Sequence, residues 1–127
     1  SQSASRKSQQ MAWDLSGLDP RSHLAWHILG RWNYELANFN PFLKSLVETV
    51  YGKFPDASNE NAARYLHMAI EHGPPRAFYH VEYGRALAAP GRGDEARREL
   101  ERGLALPSTE KDAEETRQRA REALRNL

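Results

Sequence analysis

Apolar positions along this chain recur every three or four residues in short stretches separated by turn residues, the period of helices that bury one face. Two stretches copy one another. Ala62, Leu66 and Ala69 return in the same order and at the same spacing as Ala96, Leu100 and Gly103, and Pro74 and Pro107 close the copies. Small residues at this spacing let a second helix cross closely, and a proline just past a helix forces the chain to turn. Ahead of each copy lies another apolar run that contains a glycine, residues 25–30 with Gly30 and residues 78–84 with Gly84. Between Gly84 and Ala96 there is room for one tight turn, Pro90-Gly91-Arg92-Gly93. Gly30 stands much farther ahead of Ala62, so the first unit carries an insertion between its two helices.

A period of about 34 residues built from paired helices is the mark of a tetratricopeptide unit. The expected fold is therefore all-α, a tetratricopeptide-like solenoid of helical hairpins with an inserted amphipathic helix and a C-terminal capping helix. It should occupy residues 11–127, after a polar, flexible segment over 1–10, with the insertion at about 39–57. Helices are expected over residues 11–18, 22–38, 76–89 and 93–106, besides those of the insertion and of the first repeat copy. The last helix should start at Ser108 or Thr109, with Asp112 completing a capping box. Its thin apolar stripe, Ala113, Thr116, Ala120, Ala123, Leu124 and Leu127, suits the solvated end of an array. Ala12, Leu15 and Pro20 repeat the spacing of Leu66, Ala69 and Pro74 and mark a partial earlier unit.

Within the insertion, Pro41 can open a helix and Gly52 can end it. Phe42, Leu43, Leu46, Val47, Val50 and Tyr51 form a continuous apolar stripe between them. The leading expectation is that this stripe packs over the helix pair and enlarges the core; a lipid or membrane contact and a dimer contact are the alternatives. Membrane docking is disfavoured because Lys44 is the one basic residue in the helix and Glu48 offsets it.

The 127 residues suit one domain, and 18 basic against 17 acidic side chains give no general attraction toward nucleic acid or acidic membrane. Arg97, Arg98 and Arg102, like Arg117, Arg119, Arg121 and Arg125, are interleaved with glutamates and read as solvated helix faces, so no nucleic-acid partner is expected. The absence of cysteine excludes disulfides and thiolate chemistry. No apolar stretch approaches the roughly 20 residues of a membrane span. The chain as given points to a soluble, cytoplasmic protein, and its start at serine leaves an upstream anchor or signal open.

Catalytic patterns are missing. His23 and His27 share a helix face, but Leu24 stands where a zinc protease has its glutamate, and two imidazoles do not complete a zinc site. His67 and Glu71 form a similarly incomplete pair, so neither metal nor cofactor is expected and the chain is read as a non-enzyme. Binding is the better reading. The concave surface of the solenoid should present Leu24, His27, Arg31, Tyr34 and Glu35 from the first unit and Phe78, Val81, Arg85, Ala88 and Ala89 from the second. Arg31 and Arg85 follow the two glycines at equivalent places and suit a carboxylate of a protein or peptide partner, unless a neighbour such as Glu35 occupies them. The alternative is a cavity for a phospholipid or other apolar ligand, lined by Trp26, Trp32, Phe39, Phe42, Leu46, Val50 and Phe54.

The segment Leu29-Gly30-Arg31-Trp32-Asn33-Tyr34-Glu35-Leu36-Ala37-Asn38, followed by an inserted apolar helix and the Ala62, Leu66, Ala69 helix, resembles the regulator of microtubule dynamics family. Ala105-Leu106-Pro107 with Thr109 close behind resembles the end of the same domain, so the likeness covers about residues 11–127. It implies an all-helical binding domain without a catalytic centre, in a family whose eukaryotic members are linked to microtubules, mitochondria and membrane contact sites, one with a lipid-transferring domain. The abundance of arginine and alanine suits a prokaryotic member, for which microtubules are not a partner. Gly103 and His80 depart from the usual repeat residues.

Overall fold

The computed structural model describes residues 10, 13, 14, 17–52, 57–108 and 111–127. Among them are six helices and no strand: α1 (His23–Ala37), α2 (Pro41–Tyr51), α3 (Asn59–His72), α4 (Ala77–Ala88), α5 (Gly93–Ala105) and α6 (Ala113–Arg125). Residues 1–9 of the expected flexible segment, half of the expected 11–18 helix, Phe54 and Thr109 lie outside the described residues, and Gln10, Trp13 and Asp14 are helical.

Local chemistry sets the helix ends. Ser22 and Ser58 cap α1 and α3, their hydroxyl oxygens accepting from the backbone N–H of Ala25 at 3.4 Å and of Asn61 at 3.0 Å. Asn40 does the same for α2, accepting from Phe42 and Leu43, and Pro41 takes the first helical position, where no N–H is needed. Gly52 ends α2 at φ 89°, and Gly91 turns the chain between α4 and α5 at φ 83°, both in the left-handed region that favours glycine.

The helices pack in chain order with α2 left out: α1 on α3, α3 on α4, α4 on α5, and α6 on both α4 and α5. The two repeat copies meet their first helices through one contact. A Cβ on Gly30 would stand 2.7 Å from Leu66 Cγ, and one on Gly84 would stand 2.7 Å from Leu100 Cγ. Each glycine thus removes the atom that would hold its leucine away, and both leucines are almost fully buried. Burying a leucine side chain contributes roughly 1.5–3 kcal/mol. Gly103 opens the same kind of space for Val81, whose Cγ2 lies 2.6 Å from where its Cβ would be. Around these crossings the core gathers Ala62, Ala63, Ala86, Leu87 and Ala96 at the centre, Val81 and Ala120 toward α6, and Trp13, Ala25, Leu29 and Tyr65 at the other end.

The inserted helix corrects the leading expectation. None of its residues is buried; Phe42 is 72%, Val50 68% and Leu46 49% exposed. The stripe therefore does not enlarge the core. Periodicity fixes which face of a helix is apolar but not what lies opposite it, and the caps that form α2 work without any tertiary contact.

Candidate functional site

The face formed by α1, α4 and α6 is organised by one buried acid. Glu82 sits within the apolar run of α4 and is 2% exposed. Arg85, one turn later on the same helix, donates to its Oε2 at 2.8 Å, and Arg119 donates from α6 to its Oε1 at 3.1 Å. Arg31 of α1 brings its Nε to 3.8 Å, an ion pair without a hydrogen bond. One carboxylate thus ties three helices together. The outer sides of two of these guanidinium groups meet exposed acids, Arg31 with Glu35 at 3.8 Å and Arg119 with Glu115 at 2.8 Å. Aromatic rings flank the cluster: Arg31 lies 5.4 Å from the Phe78 ring centroid, and Arg85 lies 5.4 Å from that of Tyr34.

Beside this cluster a depression of about 500 Å³ opens, and its walls include Tyr34, Arg85, Ala88 and Ala89 together with Arg119 and Ala123. Four of the residues read from sequence as groove positions therefore share one surface. Leu24 and Glu35 are exposed away from it, and Phe78 is half-buried under Arg31. Two others do not line an open face. Val81 is fully buried among Leu100 and Ala120 because α5 and α6 cover that stripe of α4. His27 is buried between α1 and α4, its ring 4.6 Å from those of both Phe78 and Tyr79.

Among the described residues neither ring nitrogen of His27 has a hydrogen-bond partner. Burial pushes its pKa down to about 3, and the nearby Arg31 and Arg76 charges add to the effect. His23, four residues earlier, is engaged elsewhere, its Nδ1 lying 2.7 Å from the Tyr79 hydroxyl. His67 and Glu71 form an exposed pair at 3.4 Å. Among the described residues no three His, Cys, Asp or Glu side chains gather as a metal site would require, and no helix is long and apolar enough to cross a membrane.

Sequence reasoning missed Glu82 and Arg119. The signal for Glu82 was an acid inside an apolar run, between Val81 and Tyr83, which must find a cation once α4 is buried. Arg119 carried no such signal, since it alternates with glutamates like its neighbours. The residues named for an apolar cavity are separated: Trp26 and Trp32 pack against the Trp13, Leu29 and Tyr65 cluster, while Phe39, Phe42, Leu46 and Val50 are exposed.

Among curated proteins none matches the chain. The family described as Regulator of microtubule dynamics protein 1-3 matches it over residues 16–127, a stretch that holds all six helices, the glycine–leucine crossings and the Glu82 cluster. The chain belongs to that family.

Proposed function

We propose that the chain is a non-catalytic interaction domain, a tetratricopeptide-like array of helical hairpins that recognises a protein or peptide through the face formed by α1, α4 and α6. The family's description, a regulator of microtubule dynamics, is consistent with protein partners and suggests an interaction role in microtubule regulation. Two features support the array: packing in chain order, and the same glycine–leucine contact at both hairpins.

The observation that carries the binding reading is the depression beside Glu82. Alanine side chains and the Tyr34 ring give its lining apolar surface, and Arg85 and Arg119 supply positive charge beside Glu122. A guanidinium has five N–H donors, and the hydrogen bond of Arg85 to Glu82 uses one of them. Glu82 also fixes the positions of the arginines, which lowers the ordering cost a partner's carboxylate must meet. An extended segment with an acidic group beside a small apolar side chain fits this combination.

Panning a displayed peptide library on the immobilised domain, followed by amide chemical-shift mapping with a selected peptide, tests the reading. Shifts should cluster at Tyr34, Arg85, Ala88 and Arg119. Ala89→Glu, which adds bulk and negative charge to the wall at an exposed position without removing a partner of Glu82, should abolish binding and leave melting unchanged. Shifts confined to the outer faces of α3 and α5 would refute the proposal, and co-sedimentation with polymerised tubulin asks whether the partner is microtubular.

A further inference from the structure

Among the described residues nothing covers the apolar face of α2, and its composition restricts what can cover it. Phe42, Leu46 and Val50 are four residues apart and lie along one ridge of the helix, with Leu43 beside them and Phe39 just ahead of the first turn. Lys44 and Glu48 fall on the opposite side and pair with each other at 4.0 Å. The ridge is therefore without charge. It is also symmetric, because Phe42 and Val50 stand equally far from Leu46 in opposite directions.

We propose that two copies of this chain pair through α2, antiparallel about a two-fold axis at Leu46. In that arrangement Leu46 meets the second copy's Leu46 and Phe42 meets the second copy's Val50, so one surface patch complements itself as a two-fold interface requires. No like charges are brought together. The exposed fractions of Phe39, Phe42, Leu43, Leu46 and Val50 amount to about 500 Å² of surface, toward the upper end of what monomers leave in one patch. Covering nearly all of it on both copies removes about 1,000 Å², the least that a specific interface needs. A lipid surface is the weaker occupant, since the single ammonium of α2 is already matched by a carboxylate.

Sedimentation velocity over a concentration series reads the pairing, with the mass expected to rise from 14.5 kDa toward twice that value. Leu46→Asp should hold the protein at the monomer mass with unchanged helicity, and should melt like the wild-type protein at dilutions where both are monomeric, because Leu46 takes no part in the monomer core. The chain has no cysteine, so a single introduced thiol reports geometry without background. Under mild oxidation Leu46→Cys should cross-link nearly completely. Phe42→Cys should not, since the two copies of residue 42 lie eight residues, or about 12 Å, apart along the axis. A wild-type protein that stays monomeric at several hundred micromolar, a dimer that survives Leu46→Asp, or efficient cross-linking of Phe42→Cys overturns the proposal. So does a monomer that floats with phosphatidylcholine–phosphatidylglycerol vesicles through the same ridge.

Discussion

Acid should weaken this domain through His27 in a way that can be isolated from its other titrating groups. The unfolded chain takes up a proton at His27 as the pH falls through 6.5, whereas the folded chain does so only near 3. Between those values the unfolded state binds more protons, so stability is complete above about pH 6.5 and is lost progressively below it. Each pH unit costs about 1.4 kcal/mol. The loss is then about 2 kcal/mol at pH 5 and about 4–5 kcal/mol near pH 3, against a total stability of roughly 5–15 kcal/mol for a domain. Replacing His27 with leucine removes two buried nitrogens that lack partners, a gain of order 1 kcal/mol that loss of the ring contacts with Phe78 and Tyr79 roughly offsets at neutral pH. Urea unfolding at pH 7.5 and pH 5.0 reads the effect directly. The wild-type protein should lose about 2 kcal/mol more than His27→Leu between the two conditions, and the His27 ring signals should stay in their neutral form down to about pH 4. Equal losses in both proteins would show that His27 is solvated or partnered in solution and would refute the reasoning.

Three further outcomes follow from the packing. Gly84→Leu should lower stability by about 1–3 kcal/mol or more in urea melts, because even its Cβ meets Leu100 Cγ at 2.7 Å. Glu82→Gln should cost about 3 kcal/mol, the lower end of the range for a broken buried ion pair because its three arginines keep some solvent contact. Val50→Asp, read by thermal melting in dilute solution, should change stability by no more than about 0.5 kcal/mol, since the side chain is largely exposed.

Local rules made much of this architecture legible. The ends of α1, α2, α4 and α5 fall within one or two residues of the positions that capping serine, proline and glycine residues suggested, and Gly84 meets the helix of Ala96 as the repeat required. What escaped were properties set by a second surface. The stripe of α2 looks the same whether it faces its own chain or another molecule. Val81 and Arg85 share a stripe of α4, yet one lies beneath α5 and α6 and the other reaches the open face, a distinction that depends on where the last helix comes to rest. The arginines raise a related point. Arg31 and Arg85, which the sequence suggests for a partner's carboxylate, both hold Glu82 instead, so removing either acts on the fold as well as on the open face.

The bond from Arg119 to Glu82 spans 37 residues of sequence. A ribosome delivers Glu82 first, in a helix whose neighbours α1, α3 and α5 are made before α6. Until α6 emerges, the growing chain holds this carboxylate with two guanidinium groups instead of three, and Val81 and Leu100 lack the Ala120 surface that closes over them. Closure of the depression thus waits until α6 has been made, and on the proposed binding role a nascent chain stalled ahead of α6 should bind a partner peptide poorly even though both hairpins are already present.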